Sequence, residues 1–488
     1  MGFARSERVQ VAALAATVLL LHLVTNAQYD FHRDSLYYLD SARHPAWGYV
    51  DYPPVTPTIA RLSLFLFGAS VWGLRLWPSL AGSLMVVLAA LIAYELGGGR
   101  AARLLAAIGA ATSLVLLGAN WLFQTVTFDQ VVWLTCFWIL ARLVRTGDRR
   151  LWLALGAMVG IGLETKYTVI ALIIGIAGGM LTTRLRRDLA TPWPWIAAGI
   201  ALVIFLPNLA WQAANDWPSI QYTFNHKSAQ SVDFSPITFL AQQVALIGPV
   251  AIPVWIAGLW WLLKSPDRRV LGAAAAVAFV IYLVAGKSYY VGPLHPFLIA
   301  AGACALEEWT ATRRRWLQPT AAAALTLQAV VLLPVTLPVL PEAAMARSPL
   351  AGVRKDFADT VGWRDLVAQV ASIYDSLSPD ERSKAVILAN NYGEAGAVNT
   401  YGPPLGLPTA VSGELSYYYW EPASLEGPVI AIGFDPVFLG TLFDACEGRG
   451  TVTNSYDLHN EEFGAPLTLC RGARLSRDVT WSRLKVFE

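Results

Sequence analysis

Eleven apolar runs dominate this chain: 9–27, 75–96, 101–119, 127–145, 151–163, 166–183, 193–212, 237–263, 269–286, 289–306 and 316–340. A helix needs roughly 20 mainly apolar residues to cross a bilayer. In hydrocarbon every backbone N–H and C=O must be paired inside the chain, which restricts such runs to helices. The fifth and sixth runs are short and separated only by Glu164-Thr165-Lys166, which reads as a bent pair that just reaches the far surface. Charged residues make up only 14% of the sequence, against about 25% in globular proteins. That excludes a large soluble enzyme and a disordered scaffold, and a net charge of +2 provides no basic field for nucleic acid. The expected fold class is an α-helical polytopic membrane protein with about 11 transmembrane helices.

The basic residues sort the loops. With Arg5 and Arg8 placed inside, the inside loops hold Arg100 and Arg103, then Arg145, Arg149 and Arg150, then Arg184, Arg186 and Arg187. Lys264, Arg268 and Arg269 follow, and then Arg313, Arg314 and Arg315. The outside connections carry Lys166, Lys227 and Lys287. Cytoplasmic loops collect Lys and Arg, so the sequence predicts an inner N-terminus and an outer C-terminal segment. Arg5 and Arg8 before an apolar run that ends in Thr25-Asn26-Ala27 loosely suit a signal peptide. Cleavage would spoil the alternation of basic loops, so the first run is read as a span.

Two regions lie outside the apolar pattern. Residues 28–74 form a large first outer loop, polar and aromatic, with an amphipathic stretch from Thr58 to Phe67 suited to the interface. Residues 341–488 follow a Pro-rich junction (Pro334, Pro338, Pro341) and have the length of a normal domain. The expected division is a transmembrane module over 1–340 and an extracytoplasmic α/β domain over 341–488. In the latter, 385–389 and 428–432 read as buried strands and Trp363 to Leu377 as a helix. Cys446 and Cys470 fall on the oxidising side, where pairing and free thiols both remain open. Cys136 and Cys304 lie in spans and read as packing residues.

In so apolar a chain each charge near a span calls for a reason, and the unexplained ones gather on the outer side. The first loop reads Tyr29-Asp-Phe-His-Arg-Asp34-Ser-Leu-Tyr37-Tyr38-Leu-Asp40, then Trp47-Gly-Tyr-Val-Asp51-Tyr52-Pro53-Pro54. Asp129 opens the fourth span, and Glu164 and Lys166 separate the short pair. Asn225-His226-Lys227 and Lys287-Ser-Tyr289-Tyr290 occupy later outer loops. The C-terminal segment adds Asn391-Tyr392-Gly393-Glu394 and Tyr417-Tyr418-Tyr419-Trp420, while Arg33 and Arg75 read as lipid-headgroup contacts. A carboxylate serves as general base toward a hydroxyl, and lysines neutralise a leaving phosphate. A carboxylate with an imidazole holds a divalent cation, and aromatic clusters stack on sugar rings.

These motifs resemble bacterial GT-C glycosyltransferases. The groups are the dolichyl-phosphate-mannose–protein mannosyltransferase-like family 39 and the lipid A aminoarabinose transferases of family 83. The resemblance rests on the first loop just quoted, on Thr127-Phe-Asp129, on Gly162-Leu-Glu-Thr-Lys166-Tyr167, on Gly286-Lys287-Ser-Tyr-Tyr290 before Pro296, and on Asn391-Tyr-Gly-Glu394-Ala-Gly. It implies a GT-C scaffold with an outer active site and a polyprenyl-phosphate-sugar donor, usually with inversion. Asp34 then matches the family's acidic residue in the first loop and is the expected general base. Lys166 and Lys287 are expected phosphate contacts, and Tyr37, Tyr38, Asp129 and Tyr289 are expected to shape the donor site. Asp51 and His226 match positions that can bind a metal or shape the donor site, so a divalent cation is a candidate cofactor. Asn391, Tyr392, Glu394, Tyr418 and Trp420 are expected to face the acceptor or sugar. Two positions depart from the family pattern: Ser35 replaces the second acid of an Asp-Glu pair, and Tyr52 stands where relatives carry His or Lys.

The expected function is transfer of a sugar to a lipid, glycan or protein acceptor on the outer face of a bacterial inner membrane, among membrane lipids and without nucleic acid. A flippase of lipid-linked sugars would also use charges and aromatics beside a lateral groove, although its polar residues belong near mid-membrane on broken helices. A non-catalytic envelope assembly protein on the same scaffold is the third reading, kept open by Ser35.

Overall fold

The computed structural model describes residues 4–230, 235–285, 287–312, 314–422 and 424–487, with side chains for all of these except 226–230 and 285. The chain is a bundle of apolar helices carrying a small mixed sheet at one end. In order, the helices are α1 (Arg5–Thr25), α2 (Arg33–Arg43), α3 (Val55–Phe67), α4 (Val71–Glu95), α5 (Arg100–Ala111), α6 (Leu114–Asn120), α7 (Thr125–Thr146) and α8 (Leu151–Leu163). They continue as α9 (Val169–Leu181), α10 (Trp193–Ala214), α11 (Pro218–Gln230), α12 (Pro236–Ile247), α13 (Ile252–Lys264), α14 (Arg269–Ala285), α15 (Leu294–Thr310) and α16 (Leu317–Val331). Among the described residues, α1, α4, α7 and α10 are each long and apolar enough to cross a membrane, and three bent helix pairs raise the number to 7 if each pair is one span. Large side chains on these helices stay uncovered, as with Leu202, Val203 and Leu206 on α10. In water such a surface is a liability; in a bilayer it is the lipid face of a multi-pass membrane protein.

Hydropathy alone misreads two runs as straight spans. The apolar run 237–263 is split at Gly248, whose φ of 82° is followed by Pro249, and α12 and α13 meet at 107°. Glycine tolerates that conformation and proline cannot continue the ladder, yet neither lowers the hydropathy enough to show. The run 101–119 likewise bends by 48° between α5 and α6, at Thr112-Ser113.

One end of the bundle is basic. There Arg145, near the end of α7, pairs with the buried Glu95 at the end of α4, and Arg149 pairs with Asp188 at 2.9 Å. The opposite end carries the 28–54 segment and everything from Trp363 on. Past α16, helix α17 (Trp363–Asp375) and helix α18 (Tyr392–Tyr401) accompany five strands: β1 (Val386–Ala389), β2 (Ala410–Ser412), β3 (Val429–Ile432), β4 (Phe443–Thr451) and β5 (Pro466–Ala473). The sheet order is β2-β1-β3-β5-β4, parallel among the first three strands and antiparallel beyond. Cys446 on β4 and Cys470 on β5 face each other and are disulfide-bonded, while Cys136 and Cys304 are buried free thiols. Phe31, Leu36, Tyr37 and Val50 share one buried core with Trp363, Leu366, Ile387 and Ile430. The first part of the loop, from Phe31 to Tyr52, is therefore packed into the C-terminal segment, whereas Leu62, Phe65 and Leu66 on α3 stay exposed.

Candidate active site

Helix α2 begins at a polar cap. The ring nitrogen Nδ1 of His32 accepts from the Asp34 backbone N–H at 3.2 Å, which places Asp34 in the first helical turn. A carboxylate is favoured there by the helix dipole. Its neighbours Tyr37 and Tyr38 are buried one turn on, and both line the cavity beside it. Asp51 stands before Pro53-Pro54. The cap of α3 is Pro54, which leaves the Asp51 carboxylate to accept the Tyr37 hydroxyl at 3.0 Å.

These groups line a cavity of about 530 Å³ where the bundle meets the C-terminal segment. Helix ends and links converge on it: Thr125 from the start of α7, Lys166 from the α8–α9 link, Tyr282 from the end of α14, and Lys287, Tyr289 and Tyr290 from the α14–α15 link. The Lys166 ammonium donates to the Thr125 hydroxyl at 3.0 Å and lies 5.0 Å from the centre of the Tyr290 ring. Lys287 lies 5.7 Å from the same ring. Asp34, Tyr37, Tyr38, Asp51, Lys166, Lys287, Tyr289 and Tyr392 thus share one chamber.

Burial pushes the Asp51 carboxyl up to about 7; the Tyr37 hydroxyl opposes the shift and the charge of Asp34 adds to it. Burial pulls the Lys287 ammonium down to about 8, with Lys166 acting in the same direction and Asp51 and Asp34 against it. Tyr392 is held well above the usual phenol range by burial and then by the charge of Asp34, so it remains a donor.

Other expected site residues lie elsewhere. Asp129 is buried inside α7 behind the cavity wall, where it accepts from Thr168 at 2.7 Å within electrostatic reach of Lys166. Asn391 and Glu394 are not among the residues that line the cavity: they form the capping box of α18, with Asn391 Oδ1 accepting from the Glu394 N–H at 2.9 Å. Tyr418 stacks on Trp481 and Trp420 on His44, both as packing rather than as cavity walls. The side chains of His226 and Lys227 lie outside the described residues.

Arg33 and Arg75 correct their sequence reading. Arg33 lines the cavity, pairs with Glu461 and lies 3.8 Å from Glu462. Arg75 is only 1% exposed and donates to the carbonyls of Asn26 (2.6 Å), Tyr29 (2.9 Å) and Asp30 (2.6 Å). Sequence reasoning also passed over Glu414 and Glu461, which line the chamber from the C-terminal segment. No local pattern marks either of them.

Among the described residues no three His, Cys, Asp or Glu side chains gather to hold a metal ion. The side chain of His226, the expected partner of Asp51 in a cation site, lies outside those residues; Lys166, Lys287 and Arg33 bring positive charge to the chamber.

A helical membrane bundle with this chamber under a small α/β cap has the GT-C glycosyltransferase fold, as comparison with known proteins shows. Over almost its whole length the chain resembles the crystal structure of ArnT from Cupriavidus metallidurans in the apo state, with a TM-score of 0.62, 16% identity, and coverage of 94% of this chain and 97% of that one. The same protein bound to undecaprenyl phosphate gives a TM-score of 0.57 and 16% identity, covering 97% and 99%. Residues 51–211 match the family described as dolichyl-phosphate-mannose-protein mannosyltransferase. Lipid A galacturonosyltransferase RgtD of Rhizobium johnstonii is 28% identical over 252 residues, 48% of this chain and 51% of that protein. The chain thus aligns with about half the length of that curated relative. These findings bear out the resemblance to GT-C glycosyltransferases.

Proposed function

We propose that this protein is a membrane glycosyltransferase that moves a sugar from a polyprenyl-phosphate carrier to an envelope acceptor, with lipid A the first acceptor to test. The observation that carries this reading is the convergence of a carboxylate, Asp34, with two ammonium groups, Lys166 and Lys287, in one chamber at the end of the bundle. Its likeness to a lipid A galacturonosyltransferase and to a protein seen with undecaprenyl phosphate supports the choice of substrates. The basic loops put the N-terminus in the cytoplasm, so the module 1–340 spans the inner membrane and the unit 341–488 lies outside it.

In the proposed reaction the donor phosphate sits against Lys166 and Lys287, with its tail passing between helices into the bilayer. Asp34 takes the proton of the acceptor hydroxyl as that oxygen attacks the anomeric carbon. The bond from that carbon to the phosphate oxygen breaks with its electron pair, and the polyprenyl phosphate leaves with charge that the two lysines stabilise. A single displacement inverts the anomeric centre. Asp129 acts from behind by holding the α9 end against Lys166.

The test uses purified protein in nanodiscs, a galacturonosyl undecaprenyl phosphate donor and lipid A, read by mass of the product. Transfer by the wild type and its loss in Asp34→Asn support the reading. Equal transfer by that variant removes Asp34 as base, and donor-independent flipping of the carrier without transfer replaces the enzyme by a transporter.

A further inference from the structure

We propose that Tyr392 is the positioning residue for Asp34, so that the unit after the last membrane helix completes the catalytic centre instead of merely covering it. This rests on the reading of Asp34 as base. The Tyr392 hydroxyl donates to Asp34 Oδ1 at 2.9 Å across 358 residues of sequence. Among the described residues no other hydrogen bond to that carboxylate is recorded. Its second oxygen, Oδ2, lies 3.9 Å from His32 Nδ1. That nitrogen is taken up by the Asp34 backbone N–H at 3.2 Å and stands beyond hydrogen-bond distance of Oδ2. One carboxylate oxygen is thus fixed by a donor while the other keeps its lone pairs for a substrate proton. The Asp34 side chain is 36% exposed, open enough to meet a substrate.

Tyr392 is itself held on four sides. Its backbone N–H donates to Glu414 Oε2 at 2.7 Å. Its ring lies 5.1 Å from that of Tyr37, and the Arg33 guanidinium lies 4.9 Å over it. The capping box of Asn391 and Glu394 fixes the helix start from which it projects. Gly396, one turn on, lets α18 approach α2: a Cβ there would lie 2.8 Å from Leu36 Cβ and 3.0 Å from the Leu36 carbonyl carbon. The Asn391-Tyr-Gly-Glu-Ala-Gly run is therefore a device for presenting one phenol to one carboxylate. A side chain with two rotatable bonds, pinned in this way, restricts the rotamer of Asp34 and with it the direction of proton acceptance.

The deciding experiment needs no substrate. Infrared difference spectra of the protein in nanodiscs identify the Asp34 carboxylate stretch as the band lost in Asp34→Asn. In Tyr392→Phe, which removes one oxygen and keeps the ring, that band is expected to move. With 3-fluorotyrosine at position 392, a stronger donor of nearly the same shape, it is expected to move the opposite way. A band unchanged in both proteins overturns the proposal while leaving Asp34 as base untouched. The transfer assay adds a second readout: Tyr392→Phe is expected to lower kcat roughly ten- to a hundredfold with KM little changed, the rate equivalent of one hydrogen bond to a charged group. A rise in KM with kcat intact overturns the positioning role. Full activity of Asp34→Asn overturns it together with the base reading on which it rests.

Discussion

Tyr37 donates its hydroxyl to Asp51 at 3.0 Å and accepts the backbone N–H of Ser416 at the same distance, so one phenol joins the first loop to the C-terminal unit at the wall of the chamber. The carboxylate it serves is destabilised by burial, with a value near 7 in the folded protein against 3.8 in the free side chain. Between those values the folded state holds a proton that the unfolded chain gives up. The contribution of Asp51 to stability is therefore complete below about pH 4 and is lost as pH rises through about 7. Asp51→Asn keeps an acceptor for Tyr37 and removes the charge. Its melting temperature is expected to approach that of the wild type near pH 5 and to exceed it by a few degrees near pH 8. Thermal melts in nanodiscs across that range check this, and a variant less stable at the alkaline end contradicts it.

Lys287 leads to a different pH effect, on activity. With its value drawn down to about 8, the ammonium loses its proton above that pH, and the attraction for a phosphate goes with it. The kcat/KM for a polyprenyl-phosphate donor is expected to fall on the alkaline side of about 8. Lys287→Arg, whose charge persists, should carry the profile further up. Lys287→Ala should raise KM about tenfold or more, in line with the loss of one charge-assisted contact. A profile that keeps the wild-type alkaline limb in Lys287→Arg assigns that limb to another group.

Arg75 is predicted to matter for folding rather than chemistry. Its guanidinium satisfies three carbonyls of residues 26–30 and lies 4.9 Å from the centre of the Trp121 ring. Arg75→Ala strands those acceptors in a buried place at a cost of ~3 kcal/mol or more. Arg75→Lys cannot reproduce the planar fork that reaches all three. Both variants should show reduced yield of monodisperse protein, and whatever folds should keep its KM for the donor. A raised KM in well-folded protein would place Arg75 at the donor after all.

What the sequence disclosed follows from the cost of charge in lipid. Asp34, Asp51, Lys166 and Lys287 stood out because an apolar chain has few reasons to keep them, and the structure brings them into one chamber. Arg33 and Arg75 carry the same charge but were read as headgroup contacts, because their partners are Glu461, Glu462 and backbone carbonyls that no local pattern announces. Tyr418 and Trp420 have the composition of a sugar platform, and only the tertiary packing turns them toward Trp481 and His44. The strands near 386 and 429 were legible as short apolar runs, whereas β4, exposed along nearly its whole length, carries no such signal. Its pairing with β5 and the Cys446–Cys470 bond are contacts at long range.

Gly396 gives the last prediction, one that separates packing from chemistry. Replacing it by alanine forces α18 and α2 apart at Leu36, where the added carbon would sit 2.8 Å from Leu36 Cβ. Overpacking of this kind costs about 1–3 kcal/mol. The shift acts on the helix that carries Tyr392 and on the one that carries Asp34, so transfer activity per folded molecule is expected to fall as well. Gly440→Ala, on a helix where an added Cβ meets no atom within 4 Å, is the matched control and should leave both quantities near wild type. A Gly396→Ala protein that is destabilised yet fully active would show that the α2–α18 approach holds the fold together without setting the geometry of the carboxylate.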